Sequence, residues 1–368
     1  MSETWAELLE RPEIDFGPNL PREVVAGRRV LITGAGGSVG RALARTVAAA
    51  DPARLVLLDW HEASLFHLEQ ALAAQWPSDD RSGPRFLLAD VRDRRQMDRL
   101  LRHEKVDLIF HLAACKHVAL GEANPDQAVS VNIGGTLDLF GVAAERDVST
   151  FVYPSTDKAV NPSSLYGATK RIVERSLPAL AEASGPNARI IRLVNVFGTQ
   201  GSVVETFAGL IRAGRPLTIT DERMDRYWMT MAEANRLLLA AAERPRFEGI
   251  YLLDVGAPVP IVETARKLHR LLRGGGEPSL RIIGARPGER LHEYLAYPAE
   301  TVLPTDRPGL LLAQPARAGH NTTSWLAAVR ALIAERYDLE PASVRDRTFE
   351  LARAATPAAA FSGESGWS

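Results

Sequence analysis

The run Arg29-Val-Leu-Ile-Thr33 leads directly into Gly34-Ala-Gly-Gly37-Ser38-Val39-Gly40 and then into the helical RALARTVAAA. Few local patterns restrict a chain more. Glycines at 34, 37 and 40 allow a tight turn, close approach of a pyrophosphate and close helix–strand packing, with the helix N-terminus facing the phosphates. A second run, Arg54–Asp59, places a carboxylate about 20 residues beyond, as a dinucleotide-binding βαβ unit requires. A carboxylate there can accept both ribose hydroxyls and repels a 2′-phosphate, so NAD is the expected cofactor and NADP is disfavoured. On this reading Ser38 and Val39 lie at the phosphates, and Asp90 and Val91 lie beside the adenine. Ala113, Ala114 and Lys116 follow the fourth strand, near the nicotinamide ribose. Asp90 has a second reading, as the N-cap of the next helix.

From Arg28 onward, short apolar runs alternate with longer helical patterns, the mark of a parallel sheet wound with helices. The runs are Arg29–Thr33, Arg54–Asp59, Arg85–Ala89, Asp107–Leu112, Thr150–Tyr153 and Ala188–Val194. Helical patterns fall at about Ser38–Ala50, Ala63–Gln75, Arg94–Arg102, Pro125–Glu145 and Ser164–Ala183. Beyond Asn195 the alternation becomes irregular. Helical patterns at Ser202–Ala213, Met231–Ala242, Ile261–Leu272 and Pro287–Leu295 are interrupted by strand candidates at Leu217–Thr220, Ile250–Asp254 and Leu280–Ile283. Two further helices are expected near Ser324–Arg336 and Pro341–Ala354.

The expected fold is therefore α/β: a Rossmann-type doubly wound parallel sheet with a smaller, interleaved C-terminal substrate-binding domain, and a cleft where the two meet. Residues 1–27 read as an N-terminal extension and 28–195 as the NAD-binding domain, to whose sheet 250–254 returns. Residues 196–355 read mainly as the substrate-binding domain and C-terminal helices, and 356–368 as a disordered tail.

Composition narrows the class. A formal net charge of −1 over 368 residues argues against nucleic acid as a partner. Cys115 is the single cysteine, which excludes an intrachain disulfide scaffold. The acidic MSETWAELLERPE lacks the layout of a signal peptide, and no apolar stretch approaches the ~20 residues that span a bilayer, so a cytoplasmic protein without a membrane span is expected. No metal is expected. Of 44 Lys plus Arg, five are Lys (Lys105, Lys116, Lys158, Lys170 and Lys267), leaving 44 − 5 = 39 Arg. Against that background a Lys marks a place where a compact charge able to lose its proton is useful.

Tyr166-Gly-Ala-Thr-Lys170 sets a phenol and an ammonium at i and i+4, on one face of a helix. Lys170, with a positive nicotinamide nearby, is expected to lower the Tyr166 pKa towards neutrality, as a general base requires. Upstream, Tyr153-Pro-Ser155 ends a strand candidate and runs into Thr156-Asp157-Lys158.

TGAGGSVG, HLAACKHV, VNIGGT, STDKAVNP, YGATK, RLVNVFGTQGSV, PLTITDERMDRYWMT and RPGERLHE resemble the polysaccharide-biosynthesis branch of the extended short-chain dehydrogenase/reductases, typified by UDP-N-acetylglucosamine 4,6-dehydratases. Leu8-Leu9-Glu10-Arg11-Pro12 resembles the segment preceding the catalytic domain in long, membrane-anchored members. The resemblance implies a UDP-sugar substrate and a homo-oligomer. It also implies roles: Tyr166 takes the C4 hydroxyl proton, Thr156 bonds near the C4 oxygen, a neutral Lys158 abstracts the C5 proton and a protonated Asp157 donates to the departing C6 hydroxyl. Asn195, Ser202 and Val203 would meet the nucleotide, Arg226 and Arg286 its phosphates, and Glu289 the substrate.

Three features depart from that family. Cys115 replaces a bulkier residue, Tyr166 stands where many long members carry Met, and RLVNVFG replaces RFGNVLG. Three other readings stay open: a 4-epimerase using the same Tyr166, Lys170 and NAD, a 5,6-dehydratase, and a non-catalytic NAD-binding protein on the same fold.

Overall fold

Strands that are apolar on both faces need cover on both sides, and the computed structural model of the protein supplies it. Residues 5–73, 83–244, 246–286, 288–315 and 322–355 are described. Six parallel strands, β1 (Arg29–Thr33), β2 (Arg54–Asp59), β3 (Arg85–Leu88), β4 (Leu108–His111), β5 (Thr150–Thr156) and β6 (Asn187–Leu193), build most of the central sheet. From one edge its order is Thr301–Pro304, Leu310–Gln314, Ile250–Leu253, β6, β5, β4, β1, β2, β3. Ile250–Leu253 runs parallel to β6, and Leu310–Gln314 returns antiparallel beside it.

Neighbouring residues on a strand feed opposite cores. Leu31, Val56, Ile109 and Phe151 pack into one layer, whereas Val30, Ile32, Leu57, Phe110 and Val152 pack into the other. The first layer includes Ile172 and Val173 of the Leu165–Ser184 helix and, from two C-terminal helices, Trp325, Val329, Leu332 and Phe349. A third core belongs to the smaller lobe and joins Phe197, Phe207, Trp228, Ile261 and Leu268 to Leu8 of the N-terminal segment. Strand order reverses between β4 and β1, which opens a crevice at their carboxyl ends.

Several expectations need correction. Residues 288–295, expected as the end of a helix, are irregular. Gly288 sits at φ +82°, and the carbonyls of Arg290 and Leu291 are taken by Asp225 and Arg226, so no i→i+4 ladder can form. The Pro125–Glu145 pattern is interrupted by a π-helical turn, Ser130–Gly135, between Pro125–Val129 and Thr136–Glu145. The hairpin Thr301–Pro304 with Leu310–Gln314 was not anticipated. The expected tail, 356–368, lies outside the described residues. Among the described residues no helix is long and apolar enough to cross a membrane.

The N-terminal segment is held by one buried ion pair. Arg11 donates to both oxygens of Glu233 and to the carbonyls of Trp228 and Val255. Glu233 is fully buried and, with Thr230, also forms the capping box of the Met231–Ala242 helix. Removing one partner of such a pair strands a charge. Arg11→Ala is expected to lower unfolding stability by ~3 kcal/mol in a denaturant titration, and adding Glu233→Gln to recover part of that loss.

Candidate active site

Two loops at the carboxyl end of the sheet build the cofactor crevice. Gly34 has φ +66°, and a Cβ on it would lie 2.7 Å from the Ala113 backbone N at the end of β4. A Cβ on Gly40 would collide with the Gly34 carbonyl, so the helix Ser38–Ala48 can seat on the loop only with glycine there. Asp59 closes the cradle from β2: one oxygen accepts the Gly36 N–H at 2.8 Å and the other the His61 N–H at 2.9 Å. A glycine loop at a helix N-terminus, with a buried carboxylate alongside, fits a dinucleotide.

Around it, Ser38 Oγ accepts the Gln200 N–H, and Lys116 Nζ donates to the Gln200 carbonyl at 3.1 Å. Val39, Ala113 and Ala114 are half-buried, and Val91 is buried. Asp90 is ion-paired with Arg92, and Asp93 caps the helix Arg94–Glu104, so the N-cap reading of Asp90 is corrected.

The second part of the site depends on another close approach. Gly167 lies against the Lys158 carbonyl so tightly that a Cβ would collide with it. The Leu165–Ser184 helix, capped by Ser164, therefore docks directly on the Asp157–Ala159 turn at the end of β5. Tyr166 is brought beside Thr156. Thr156 Oγ1 in turn donates to Asp157 Oδ1 at 2.8 Å, and Lys158 Nζ donates to the same oxygen at 3.1 Å.

Glu293 completes the cluster from the smaller lobe, a residue the sequence reading did not single out. Its Oε1 lies 2.7 Å from Lys158 Nζ and 3.3 Å from Arg226 Nε, and its Oε2 accepts Asn195 Nδ2 at 2.8 Å. The one sequence signal was its place within RPGERLHE, where Arg286 and Glu289 drew attention instead. Those two lie in a turn in which the Glu289 carboxylate accepts the Arg286 N–H, and Arg286 is exposed. Arg226 is buried and spends its donors on Glu293 and on the carbonyls of Asp225, Arg290 and Leu291, so this conformation offers no fork to a phosphate. Ser202 caps the helix Val203–Arg212, and Val203 is half-buried.

Electrostatics divide the titratable groups. Burial and the neighbouring Glu293 push the Asp157 carboxyl up to about 7, above what Lys158 can offset. Burial opposes the Glu293 charge too, but Lys158 and Arg226 outweigh it and bring Glu293 down to about 2. For Lys158 burial works against the cation, yet Asp157 and Glu293 hold it above the ordinary lysine value. The expected neutral Lys158 is thus corrected: here it is an ammonium between two carboxyl groups.

Tyr166 also departs from expectation. Burial raises it to about 12, and the opposing cation is Lys158, not Lys170. Lys170 is drawn inward, donating to the Pro154 carbonyl at 2.8 Å and lying 4.3 Å over the Tyr153 ring. Burial lowers it to about 7, and it is not among the groups that shift the phenol. Nearby His111 bridges Thr33 and Thr136 and is held neutral, lowered to about 3 by burial and by Lys170. Asn132, inside the π-helical turn, bonds both backbone polar groups of Cys115 and reaches Thr169, which ties the β4 loop to the Tyr166 helix. No metal-ligating cluster occurs among the described residues.

The model of a family described as polysaccharide biosynthesis protein matches residues 30–315. The capsular polysaccharide biosynthesis protein CapD of Staphylococcus aureus is 38% identical over 292 residues, 78% of this chain and 48% of CapD, so the chain spans about half of that relative. A UDP-N-acetylglucosamine 4,6-dehydratase (inverting) of Campylobacter jejuni is 31% identical over 276 residues, covering 73% of this chain and 77% of the relative. A UDP-glucose 4-epimerase of Rickettsia canadensis is 30% identical with the same coverage. Among solved structures, the dTDP-glucose 4,6-dehydratase DesIV of Streptomyces venezuelae, with NAD and TYD bound, superimposes with a TM-score of 0.59 at 26% identity, covering 72% of this chain and 86% of that one.

The buried Lys170 gives a stability prediction. Its folded pKa of about 7 lies below the 10.5 of an exposed lysine, so the native state binds fewer protons between those values and its stability rises with pH there. Lys170→Met should raise the thermal midpoint relative to wild type most below pH 7, and the gain should fade as pH approaches 10.5.

Proposed function

The chain belongs to the polysaccharide biosynthesis protein family, a branch of the extended short-chain dehydrogenase/reductases, and from that premise we propose that it is an NAD-dependent nucleotide-sugar 4,6-dehydratase. The proposed substrate is UDP-N-acetylglucosamine or a related UDP-sugar, in keeping with the Campylobacter relative.

One observation carries the reading: the buried Thr156–Asp157–Lys158 turn, docked against Tyr166, holds a carboxyl that keeps a proton near neutrality beside a lysine. Oxidation at C4 needs only a base and a hydride acceptor. Loss of water across C5–C6 needs in addition a proton acceptor for C5 and a proton donor for the C6 oxygen. The Gly34–Gly40 cradle and Asp59 would hold NAD, which would supply the hydride acceptor for C4 and the hydride donor for C6.

Tyr166, ionised once a positive nicotinamide lies beside it, takes the C4 hydroxyl proton next to Thr156. The C4 ketone acidifies C5–H. Lys158, in the form that has released its own proton to bulk water, takes that proton and returns it to C5 when C6 receives the hydride, and Asp157 gives its own to the departing C6 hydroxyl, which leaves as water. Asn195, hydrogen-bonded to both Lys158 and Glu293, fixes the cluster at the mouth of the smaller lobe.

A 4-epimerase is the second reading, favoured by the Rickettsia relative and by the Tyr166–Lys170 pair, which serves either reaction. Mass spectrometry of the product from UDP-N-acetylglucosamine separates them: the dehydratase yields a species lighter by one water, and an isomer of unchanged mass rejects that assignment. Lys158→Ala should abolish dehydration while NAD binding, read by fluorescence titration, stays near wild type. Elimination needs Asp157 protonated and Lys158 neutral, so its rate should be level above about pH 7 and fall ~10-fold per pH unit below it.

A further inference from the structure

Asp157 carries an oxygen that the rest of the cluster does not satisfy. Its Oδ1 accepts Thr156 Oγ1 and Lys158 Nζ, whereas Oδ2 is fully buried and faces no N–H or O–H donor. The Glu293 carboxyl is its neighbour across one ammonium: Lys158 Nζ bridges Asp157 Oδ1 at 3.1 Å and Glu293 Oε1 at 2.7 Å. Two buried carboxyl groups that share one ammonium, one of them with an oxygen no donor reaches, are disfavoured while both are ionised, and a single proton on one of them relieves this.

The surroundings decide which. Glu293 receives Lys158 Nζ at 2.7 Å, Arg226 Nε at 3.3 Å and Asn195 Nδ2 at 2.8 Å, three donors that favour its anion. Asp157 shares Lys158 and has only the Thr156 hydroxyl besides. A proton on Asp157 Oδ2 relieves the one oxygen of the pair that no donor reaches.

We infer that Glu293 is a positioning residue of the site, sharing a single proton with Asp157 and holding the Lys158 ammonium, so that the acid of the Thr156–Lys158 turn is loaded by the smaller lobe. The catalytic use of that proton rests on the dehydratase reading above, but the proton's location does not. Charged and titratable groups facing the pair are Lys158 from the turn, Tyr166 from the helix, Arg226 and Tyr227 from the strand segment of the smaller lobe, and Arg290 beside Glu293. Tyr166 and Tyr227 are held above their ordinary values, so within the range of interest the pair titrates against a fixed background.

A bond across the two lobes of this kind also makes the acid conditional on the fold. Glu293 lies in the irregular 288–295 segment, anchored by Asp225 and Arg226 at the Arg290 and Leu291 carbonyls. If that segment moved away, Lys158 would have Asp157 as its one carboxylate partner, and Asp157 would ionise.

The test is infrared difference spectroscopy of the full chain without substrate, comparing wild type with Asp157→Asn. A protonated-carboxyl band is expected in wild type at pH 6, absent from Asp157→Asn, with a midpoint near pH 7. In Glu293→Gln the negative neighbour is gone, and the midpoint should fall by at least one unit, a ~10-fold change in proton affinity; Glu293→Asp should restore part of the shift. Absence of the band from wild type, or an unmoved midpoint in a folded Glu293→Gln, overturns the inference. With UDP-N-acetylglucosamine, Glu293→Gln should retain transient NAD reduction at 340 nm, on the order of wild type, while water loss drops ~10-fold or more and the break in its pH profile moves down with the infrared midpoint. Equal loss of both steps with an unmoved midpoint marks a purely structural residue. Failure of wild type to release water while the band persists rejects the dehydratase reading and leaves the shared proton standing.

Discussion

A fully buried carboxylate, Glu174, fixes the geometry on which the site depends. It accepts Ser155 Oγ at 2.7 Å, two bonds from Arg192 at 2.8 Å each, and Arg171 at 3.1 Å. Arg192 continues to Glu300 and to the Leu295 carbonyl. Two cations and two anions therefore compensate one another out of water, which makes their burial tolerable and the loss of any one member costly. The network joins β5, β6, the Tyr166 helix and the 293–300 segment at one point. Ser155 immediately precedes the Thr156–Lys158 turn, Glu174 lies one helical turn beyond Lys170, and Leu295 is two residues from Glu293. Groups from four separate parts of the chain are thereby held to a common frame.

That frame explains why the carboxyl end of β5 can keep unusual protonation states. A flexible loop would let Asp157 swing towards water and ionise. Here the turn is pinned below by Ser155–Glu174, above by the close approach of Gly167, and laterally by Tyr297, whose hydroxyl donates to the Ala159 carbonyl at 2.9 Å. Desolvation then acts on a fixed geometry, and small differences in donor count between Asp157 and Glu293 separate their affinities for a proton.

The parts of this arrangement legible in the sequence are those whose partners are local. Gly34 to Gly40, the strand-terminal Asp59, the i, i+4 pair Tyr166 and Lys170, and the consecutive Thr156-Asp157-Lys158 each announce themselves within a few residues. Glu293 did not, because its contacts to Arg226, Asn195 and Lys158 are all distant in sequence and because the helical reading of Pro287–Leu295 assigned its neighbours the wrong geometry. Arg226 misled for a related reason: its position in DRYWMT was informative, but only the tertiary fold reveals that its donors point inward to carbonyls. The π-helical turn was hidden as well, since periodicity alone does not register one extra residue, whereas the Asn132–Cys115 bonds that accompany it are long-range.

The sparing use of lysine can be read in the same physical way. Where the fold needs a permanent, forked cation it uses arginine, as in Arg192 against Glu174 and Arg11 against Glu233. Lysine appears where one point charge meets carbonyls or a proton must be negotiable. Lys267, without a role from sequence, reaches the Leu8 and Leu9 carbonyls of the N-terminal segment. Lys158 and Lys170 are shifted in opposite directions from the ordinary lysine value. The first has two carboxyl partners, which outweigh its burial, and the second has a carbonyl and an aromatic face, which do not. An arginine at either position would stay charged whatever surrounded it. The fold instead sets the two protonation states by the number of carboxylates it brings to each ammonium, and for Lys158 the second of these comes from the other lobe.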